Sequence, residues 1–185
     1  MSTGKLFVIS GASGVGKGTV LAGVMERRKD LSFSVSATTR PPRPSEQEGV
    51  HYYFISEEQF EEMIEKDEFL EYDRHAKACY GTPLGQLEEK LAKGSVILDV
   101  EPKGASIVKE KRPDAILIFI MPPSMEELER RLRGRGDTCE EQIAIRMERA
   151  KWEMEQRDWY DYVVVNDRLS DCVNEILNII AEKAD

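Results

Sequence analysis

The segment GASGVGKGT, residues 11–19, constrains the fold of this chain more than any other part of its sequence. It follows an apolar run over residues 6–9 and leads into an amphipathic helical pattern over residues 20–25. A strand, a glycine loop and a helix in this order are typical of a loop that surrounds phosphate groups. Glycines let several backbone N–H groups turn toward one polyphosphate, and the helix N-terminus adds partial positive charge. The segment therefore predicts a phosphate site, with Lys17 reaching the outer phosphates.

The residue after this lysine departs from the usual GxxxxGK(S/T) pattern. That position usually carries a hydroxyl that ligates Mg²⁺, whereas this chain has Gly18 and places Thr19 one residue later. The order Lys17, Gly18, Thr19 resembles that of adenylate kinases, so the departure does not argue against catalysis. We expect Thr19 to act on the metal indirectly, through water.

Length and composition are typical of one cytoplasmic domain. A chain of 185 residues can bury a sizeable core without disulfides or a structural metal. No apolar run is long enough to span a bilayer, and the N-terminus lacks the apolar core of a secretory signal. Cys79, Cys139 and Cys172 are widely spaced, without a CxxC pair, as expected of reduced thiols. We expect a soluble protein that does not bind a membrane.

The charge pattern favours small anions over a polymer. A net charge of −9 opposes sequence-independent binding of DNA or RNA, which needs a basic face. Positive charge is local instead, at Arg40 and Arg43 and again in the arginine-rich residues 130–135. Such clusters suit one or two phosphate-bearing ligands.

Strand-like and helix-like segments alternate along the chain, which predicts an α/β protein with a largely parallel sheet. Strands are predicted at residues 32–39, 96–100, 115–121 and 162–165. Helix starts are predicted at Ser56 with Gln59 as a capping box, Thr82 before Pro83, Pro102, Ser124 with Glu127, and Thr138 with Glu141. The glycine-rich, basic segment 132–138 is either a solvated helix connection or a mobile lid that brings arginines over a phosphate.

Several further motifs occur together with the phosphate loop. They are residues 34–54, EYDRHAKACYGTP at 71–83, LDVEPKGA at 98–105, LRGRG at 132–136 and VVVND at 163–167. In this order and spacing the chain resembles guanylate kinases from end to end. The resemblance implies a P-loop NTPase fold with core segments at about 3–32, 95–125 and 160–183, a GMP-binding insert at about 33–94 and a lid at about 126–159. It implies Mg²⁺-assisted transfer of a phosphoryl group from ATP to GMP, with dGMP as a second acceptor.

The resemblance also implies roles for individual residues. The ATP site would comprise Gly11, Ala12, Ser13, Gly14, Val15, Gly16, Lys17, Gly18, Thr19 and, at the adenine, Asn166. The phosphate of GMP would be held by Arg40, Arg43, Tyr52 and Tyr80, with Glu46 orienting the arginines, and guanine would be read by Ser36, Glu71 and Thr82. Planar guanidinium forks suit a phosphate, and an ionised glutamate suits the two donors on the guanine edge.

The remaining implied roles concern the transferred group. Asp99 ends an apolar strand and belongs to the implied GMP site, where it would act near the phosphate loop, on the metal through water or on an arginine. Glu101 stands in the GMP site where the family usually has aspartate, and Lys103 stands where it usually has glutamine. Lys17 and the lid arginines Arg131, Arg135 and Arg146 would stabilise charge on the phosphoryl group.

Three alternatives are weighed against this interpretation. A different nucleoside monophosphate kinase is suggested by Gly18 and Thr19 but opposed by Glu71 with Ser36. A non-catalytic guanylate-kinase-like module of a scaffold protein is opposed by Lys17 and the lid arginines. A P-loop protein that binds nucleic acid is opposed by the net charge.

Overall fold

The computed structural model describes residues 4–75, 77–134 and 139–184. These ranges contain both strands and helices, in agreement with the α/β class that the sequence predicts. The strands are β1 (Leu6–Gly11), β2 (Ser32–Phe33), β3 (Ala37–Thr38), β4 (Tyr53–Phe54), β5 (Phe69–His75), β6 (Ala78–Pro83), β7 (Val96–Asp99), β8 (Ile116–Met121) and β9 (Tyr162–Val165). The helices are α1 (Lys17–Arg27), α2 (Glu57–Glu65), α3 (Leu84–Leu91), α4 (Pro102–Lys111), α5 (Met125–Arg133), α6 (Glu140–Glu155) and α7 (Leu169–Ala184), with a 3-10 helix at Gln156–Trp159. Across the described ranges, no helix has both the length and the apolar character that a membrane span requires.

Five strands form a central sheet in the order β2-β7-β1-β8-β9, and every neighbouring pair is parallel. Parallel strands align their carboxyl ends at one edge of the sheet, where open α/β sheets bind their ligands. In the register of β1 and β7, Ile9 lies opposite Asp99. The glycine loop after β1 and the acidic end of β7 therefore meet at the same edge.

Helices cover both faces of this sheet. Alternate residues of β1 point to opposite faces, so Phe7 and Ile9 pack with α1, α5 and α7, while Leu6 and Val8 pack with α3 and α4. All four of these side chains are buried. Burial on both faces explains why the strand is continuously apolar, and the predicted helix-flanked parallel sheet is confirmed.

A second, four-stranded sheet has the order β4-β3-β6-β5. Strand β3 is parallel to β4 and antiparallel to β6, and β6 is antiparallel to β5. A separate small core supports it, in which Ala37, Phe60 of α2 and Phe69 are buried together. This second sheet stands beside the carboxyl edge of the first and forms one wall of the site described below.

Local start signals give mixed outcomes. The capping box is confirmed: the Ser56 hydroxyl accepts from the Gln59 N–H and the Gln59 side chain accepts from the Ser56 N–H. Ser124 likewise caps α5 through the Glu127 N–H. The prediction that Thr82 caps a helix is wrong, because Thr82 is a buried residue of β6 and α3 begins after Pro83. Thr138 lies outside the described residues.

The predicted strand over residues 32–39 is divided between the two sheets. Ser32 and Phe33 pair with β7 of the central sheet, whereas Ala37 and Thr38 pair with β4 and β6 of the second sheet. Residues 34–36 connect the two sheets. Alternation of polar and apolar residues is the same in both halves, so it gives no sign of where the chain changes sheets.

Candidate active site

The glycine loop between β1 and α1 lines a cavity of about 360 Å³, to which every residue from 11 to 19 contributes. The backbone φ is 85° at Gly14 and 90° at Gly16, in the left-handed region that favours glycine. A Cβ on Gly14 would also lie 2.6 Å from Leu132 Cδ2 of α5. The two glycines are therefore required by the shape of the loop, which we call the P-loop from here on.

Lys17 is the first residue of α1 and lies at the boundary of two cavities. Its Nζ donates to the Asp99 carboxylate at the end of β7, and the two side chains are partly exposed. The structure thus brings together the predicted phosphate-binding lysine and the predicted acidic residue at the strand end. Thr19 lines the P-loop cavity and is exposed.

Asn166 supports the P-loop from behind. Its side chain is buried, and its Nδ2 donates to the Val15 carbonyl at 2.8 Å. A Cβ on Gly16 would approach the same nitrogen at 3.1 Å. The structure therefore gives this amide a bond that shapes the loop, and its contact with adenine stays a prediction.

A second cavity of about 740 Å³ lies between the second sheet, the end of β7 and the start of α4. Charged and hydroxyl side chains from several elements converge on it, which is typical of a site that orients a polar ligand. Among the residues named from the sequence, those that line it are Lys17, Ser36, Arg40, Tyr52, Glu71, Tyr80, Asp99, Glu101 and Lys103. We call this space the acceptor cavity.

Arg40 enters the acceptor cavity with its fork held in place. Both of its terminal nitrogens donate to the Glu46 carboxylate at 2.8 Å, and the Arg43 N–H donates to the same carboxylate at 2.7 Å. These bonds lower the pKa of Glu46 to about 2. The Arg40 guanidinium also lies over the Tyr52 ring, 5.3 Å from its centre. Glu46 therefore holds the Arg40 guanidinium but only the backbone of Arg43, whose side chain is exposed on the flanking loop. The role of both arginines toward GMP stays a prediction.

Glu71 is the most deeply buried acidic group of the acceptor cavity, with 7% of its surface exposed. Its Oε1 accepts from the buried Thr82 hydroxyl at 2.5 Å. A Cβ at Gly104 of α4 would lie 2.9 Å from its Oε2, so glycine is needed for this close approach. Burial raises the pKa of Glu71, against the opposing effect of the Thr82 bond. A carboxylate so placed is ready to accept hydrogen bonds from a ligand.

The predicted lid arginines occupy different environments. Arg131 of α5 is half-buried, where its Nε donates to Glu127 at 2.8 Å and its Nη1 donates to the Asn166 carbonyl at 2.8 Å. Arg146 is half-buried on α6. Arg135 lies outside the described residues. The Arg131 guanidinium therefore contacts the segment that follows β9, behind the P-loop.

Arg149 of α6 was not singled out from the sequence, yet it lines both cavities. Its Nε donates to Glu153 at 2.9 Å, and its guanidinium also pairs with Glu101. Glu153 is buried, and its other oxygen accepts from the Ser13 N–H of the P-loop at 2.6 Å. The spacing of Arg149 and Glu153 indicates a helical ion pair, but only the packing of α6 across the P-loop places that pair in the site.

Comparison with known protein families shows which family this chain belongs to. The sequence model described as guanylate kinase matches residues 3–183. The chain belongs to the guanylate kinase family. Members of this family phosphorylate GMP to GDP using ATP.

Individual relatives agree with this assignment over nearly the whole chain. A guanylate kinase of Prochlorococcus marinus subsp. pastoris is 48% identical over 177 residues, which cover 95% of this chain and 96% of the relative. A guanylate kinase of Thermus thermophilus is 49% identical over 178 residues, covering 96% of this chain and 80% of the relative. The crystal structure of guanylate kinase from Anaplasma phagocytophilum matches with a TM-score of 0.79 at 34% identity, over 99% of this chain and 87% of that one. The P-loop NTPase fold is thereby confirmed.

Glu101 and Lys103, which depart from the usual residues of the family, both form ion pairs at the acceptor cavity. Lys103 Nζ donates to Asp73 Oδ1 at 2.7 Å, and both residues line the cavity. Glu101, at the start of α4, pairs with Arg149 as described above. The longer side chain of Glu101 thus reaches a guanidinium on α6, and the extra cation at Lys103 is paired with a carboxylate.

Proposed function

We propose that this chain carries out the reaction of its family with ATP in the P-loop cavity and GMP in the acceptor cavity. The observation that carries the proposal is the wall that the two cavities share, which contains Lys17. Phosphoryl transfer requires donor and acceptor phosphates to meet in line. A lysine that faces both spaces is placed where those phosphates would meet.

The chemistry asks little of the protein beyond alignment and charge. An oxygen of the GMP phosphate forms a bond to the γ-phosphorus of ATP, while the bond to the β,γ-bridging oxygen breaks and leaves its electron pair on ADP. Four negative charges on ATP and two on GMP become three on each product, so no proton and no general base are needed. Cations such as Lys17, Arg131, Arg135 and Arg146 would stabilise charge on the transferring group.

Guanine would be selected by the buried end of the acceptor cavity. Glu71, as an ionised acceptor, suits the N1–H and the exocyclic amino group of guanine, and the Ser36 hydroxyl can donate to O6. Thr82 holds one oxygen of Glu71 and so fixes the direction of the other. Adenine presents an acceptor where guanine presents N1–H, which would leave Glu71 unpaired.

The donors present fit Mg²⁺ bound mainly by phosphate oxygens and water. Within residues 4–75, 77–134 and 139–184, no group of three His, Cys, Asp or Glu side chains could hold a metal ion. Asp99 and Thr19 offer a carboxylate and a hydroxyl on the two cavities, and Mg²⁺ commonly keeps several waters in kinase sites. The bound ion would neutralise phosphate charge, while Asp99 and Thr19 would orient its waters.

Two segments that flank the cavities would move when both nucleotides bind. The insert at 33–94 and the lid at 126–159 would close over both nucleotides, which excludes water and limits ATP hydrolysis. Small-angle scattering should show a smaller radius of gyration with both nucleotides than with either alone, and an unchanged radius would contradict closure.

The location of the protein is proposed to be the cytoplasm. Cys79, Cys139 and Cys172 are free thiols, which supports a reducing compartment.

A coupled assay of ADP release tests the reaction and its acceptor. GMP, dGMP, AMP, CMP and UMP are supplied one at a time with saturating ATP and Mg²⁺. We expect turnover with GMP, turnover with dGMP as a second acceptor, and kcat/KM for AMP lower by at least about 10³-fold. Equal use of AMP and GMP would contradict the role of Glu71, and no turnover with any acceptor would contradict the proposed reaction.

A further inference from the structure

The two cavities share three residues among those described: Lys17, Glu101 and Arg149. Lys17 belongs to the P-loop, and Glu101 is an acid. Arg149 is thus a second cation at the place where the donor and acceptor phosphates would meet. It belongs to α6, a helix separate in sequence from the P-loop and from β7.

A chain of bonds fixes the position of Arg149 relative to the P-loop. The Ser13 N–H donates to one oxygen of Glu153 at 2.6 Å, and the other oxygen accepts from Arg149 Nε at 2.9 Å. Glu153 has only 3% of its side chain exposed, whereas 44% of the Arg149 side chain is exposed. A buried carboxylate that accepts two hydrogen bonds thus holds the Nε edge of the guanidinium, and Arg149 lines both cavities.

Glu101 occupies the outer side of the guanidinium, where Nη2 pairs with Oε2 of that residue. Glu101 is half exposed and stands at the N-terminal end of α4, so it is the more accessible of the two carboxylates. A phosphate oxygen can accept from the same guanidinium nitrogens as a carboxylate oxygen does. A polyphosphate would therefore compete with Glu101 and leave the Glu153 bond in place.

We propose that Arg149 is a further catalytic residue, whose outer guanidinium nitrogens contact the transferring phosphoryl group while Glu153 acts as its positioning residue. The inference rests on the proposed reaction. As the γ-phosphorus moves from the bridging oxygen of ATP to the GMP oxygen, its three equatorial oxygens carry charge that a fixed guanidinium stabilises. Because this distribution of charge exists in the transition state and in neither bound substrate, loss of Arg149 should lower kcat more than it raises either KM.

Arg133 provides a matched control. Like Arg149, it has 44% of its side chain exposed and joins two glutamates, Glu129 four residues earlier on α5 and Glu140 on α6. It faces a groove between these helices, away from the shared wall. Arg133→Gln therefore removes the same type of side chain from the same lid without touching the nucleotide cavities.

The experiment compares steady-state kinetics of wild type, Arg149→Gln, Arg149→Lys and Arg133→Gln. For Arg149→Gln we expect kcat to fall about 10²-fold, with both KM values within about threefold of wild type. Arg149→Lys, which keeps the charge but loses the fork, should recover part of kcat, and Arg133→Gln should stay within about twofold.

A kcat within about twofold of wild type in Arg149→Gln, or an equal loss in both glutamine variants, would overturn the inference. So would an unchanged kcat with raised KM values. If Arg149→Gln does not fold, Arg149→Lys decides alone: full activity would count against the inference and a lowered kcat with unchanged KM would support it. Absence of turnover in wild type would instead contradict the proposed reaction.

Discussion

The two cavities of the candidate site are built in different ways. The P-loop cavity is lined by the continuous segment 11–19, together with Glu101 before α4 and Arg149 and Glu153 of α6. The acceptor cavity is lined by side chains from the second sheet, β7, α4 and α6, which are far apart in the chain. A loop that binds through its backbone tolerates many side-chain changes, whereas a cavity made of side chains depends on each one. The two regions should therefore respond differently to single substitutions.

Lys17→Met should have the largest effect, because Lys17 is the one lysine of the P-loop and faces both cavities. We expect kcat to fall about 10⁴-fold, since a cation near the transferring group is lost, while the dissociation constant for GMP changes less than about threefold. Initial rates together with GMP titration calorimetry measure the two quantities. Lys29→Met, at an exposed lysine after α1, is the control. Full activity in Lys17→Met would show that the P-loop works by backbone contacts alone.

Glu71→Gln sharpens the contrast from the acceptor side. An amide offers one acceptor atom and presents a donor to a donor, so kcat/KM for GMP should fall about 10²-fold or more while the KM for ATP is unchanged. Glu68→Gln, an exposed residue just before β5, should leave both values unchanged. Wild-type kinetics with GMP in Glu71→Gln would mean that guanine is read elsewhere.

Glu71→Gln lowers activity with GMP, but it should raise the stability of the nucleotide-free protein by a small amount. Burial raises the pKa of Glu71, so the folded protein holds this proton more tightly than the unfolded chain does. Stability from this group is then fully present below the unfolded pKa, about 4.3, and is lost as pH rises through the folded pKa. Relative to wild type, Glu71→Gln should therefore gain in Tm between pH 5 and pH 8. Calorimetric scans of both proteins at pH 5 and pH 8 measure this gain. A difference in Tm between variant and wild type that is the same at both pH values would show that burial does not disfavour the ionised form of Glu71.

Gly18→Ser should have the smallest effect, because it adds a side chain to the P-loop at an open position. A Cβ at Gly18 would meet no other atom within 4 Å, and the residue is exposed. We expect kcat within about threefold of wild type and a lower Mg²⁺ concentration for half-maximal rate, because serine offers a direct ligand. Titration of rate against free Mg²⁺ in both forms measures this, with Gly14→Ser as a control that should lose activity through strain. Loss of activity in Gly18→Ser would show that glycine is required there.

The contrast between the P-loop cavity and the acceptor cavity also appears in what the sequence predicts. The P-loop, the central strands and the Ser56 capping box are local patterns, and the structure contains each of them. Local charge singles out Arg40 and the resemblance singles out Glu71, but both line one cavity only because the second sheet folds against α4. The sequence therefore predicts contacts within a segment well. It predicts contacts between segments mainly through family likeness, with Asp99 beside the P-loop following from its place at a strand end.

The errors and omissions have physical causes. Thr82 has the sequence context of a helix cap, but tertiary packing buries it in β6, where its hydroxyl bonds Glu71 instead. Arg149 and Glu153 look like an ordinary surface ion pair of a helix, since nothing in their spacing reports that α6 lies over Ser13. In both cases a long-range contact decides the role of a residue whose local pattern indicates another.

The ion pairs of the site have a consequence for how it responds to salt. Lys17 is paired with Asp99, Arg40 with Glu46, and Arg149 with Glu101 and Glu153. A ligand that brings phosphates to these cations exchanges one anion for another, rather than meeting bare positive charge. Affinity for nucleotides should therefore fall less steeply with ionic strength than affinity for a patch of unpaired lysines and arginines does. When ADP and GDP dissociate, the same carboxylates can pair with the cations again, so that no unpaired positive charge opposes product release.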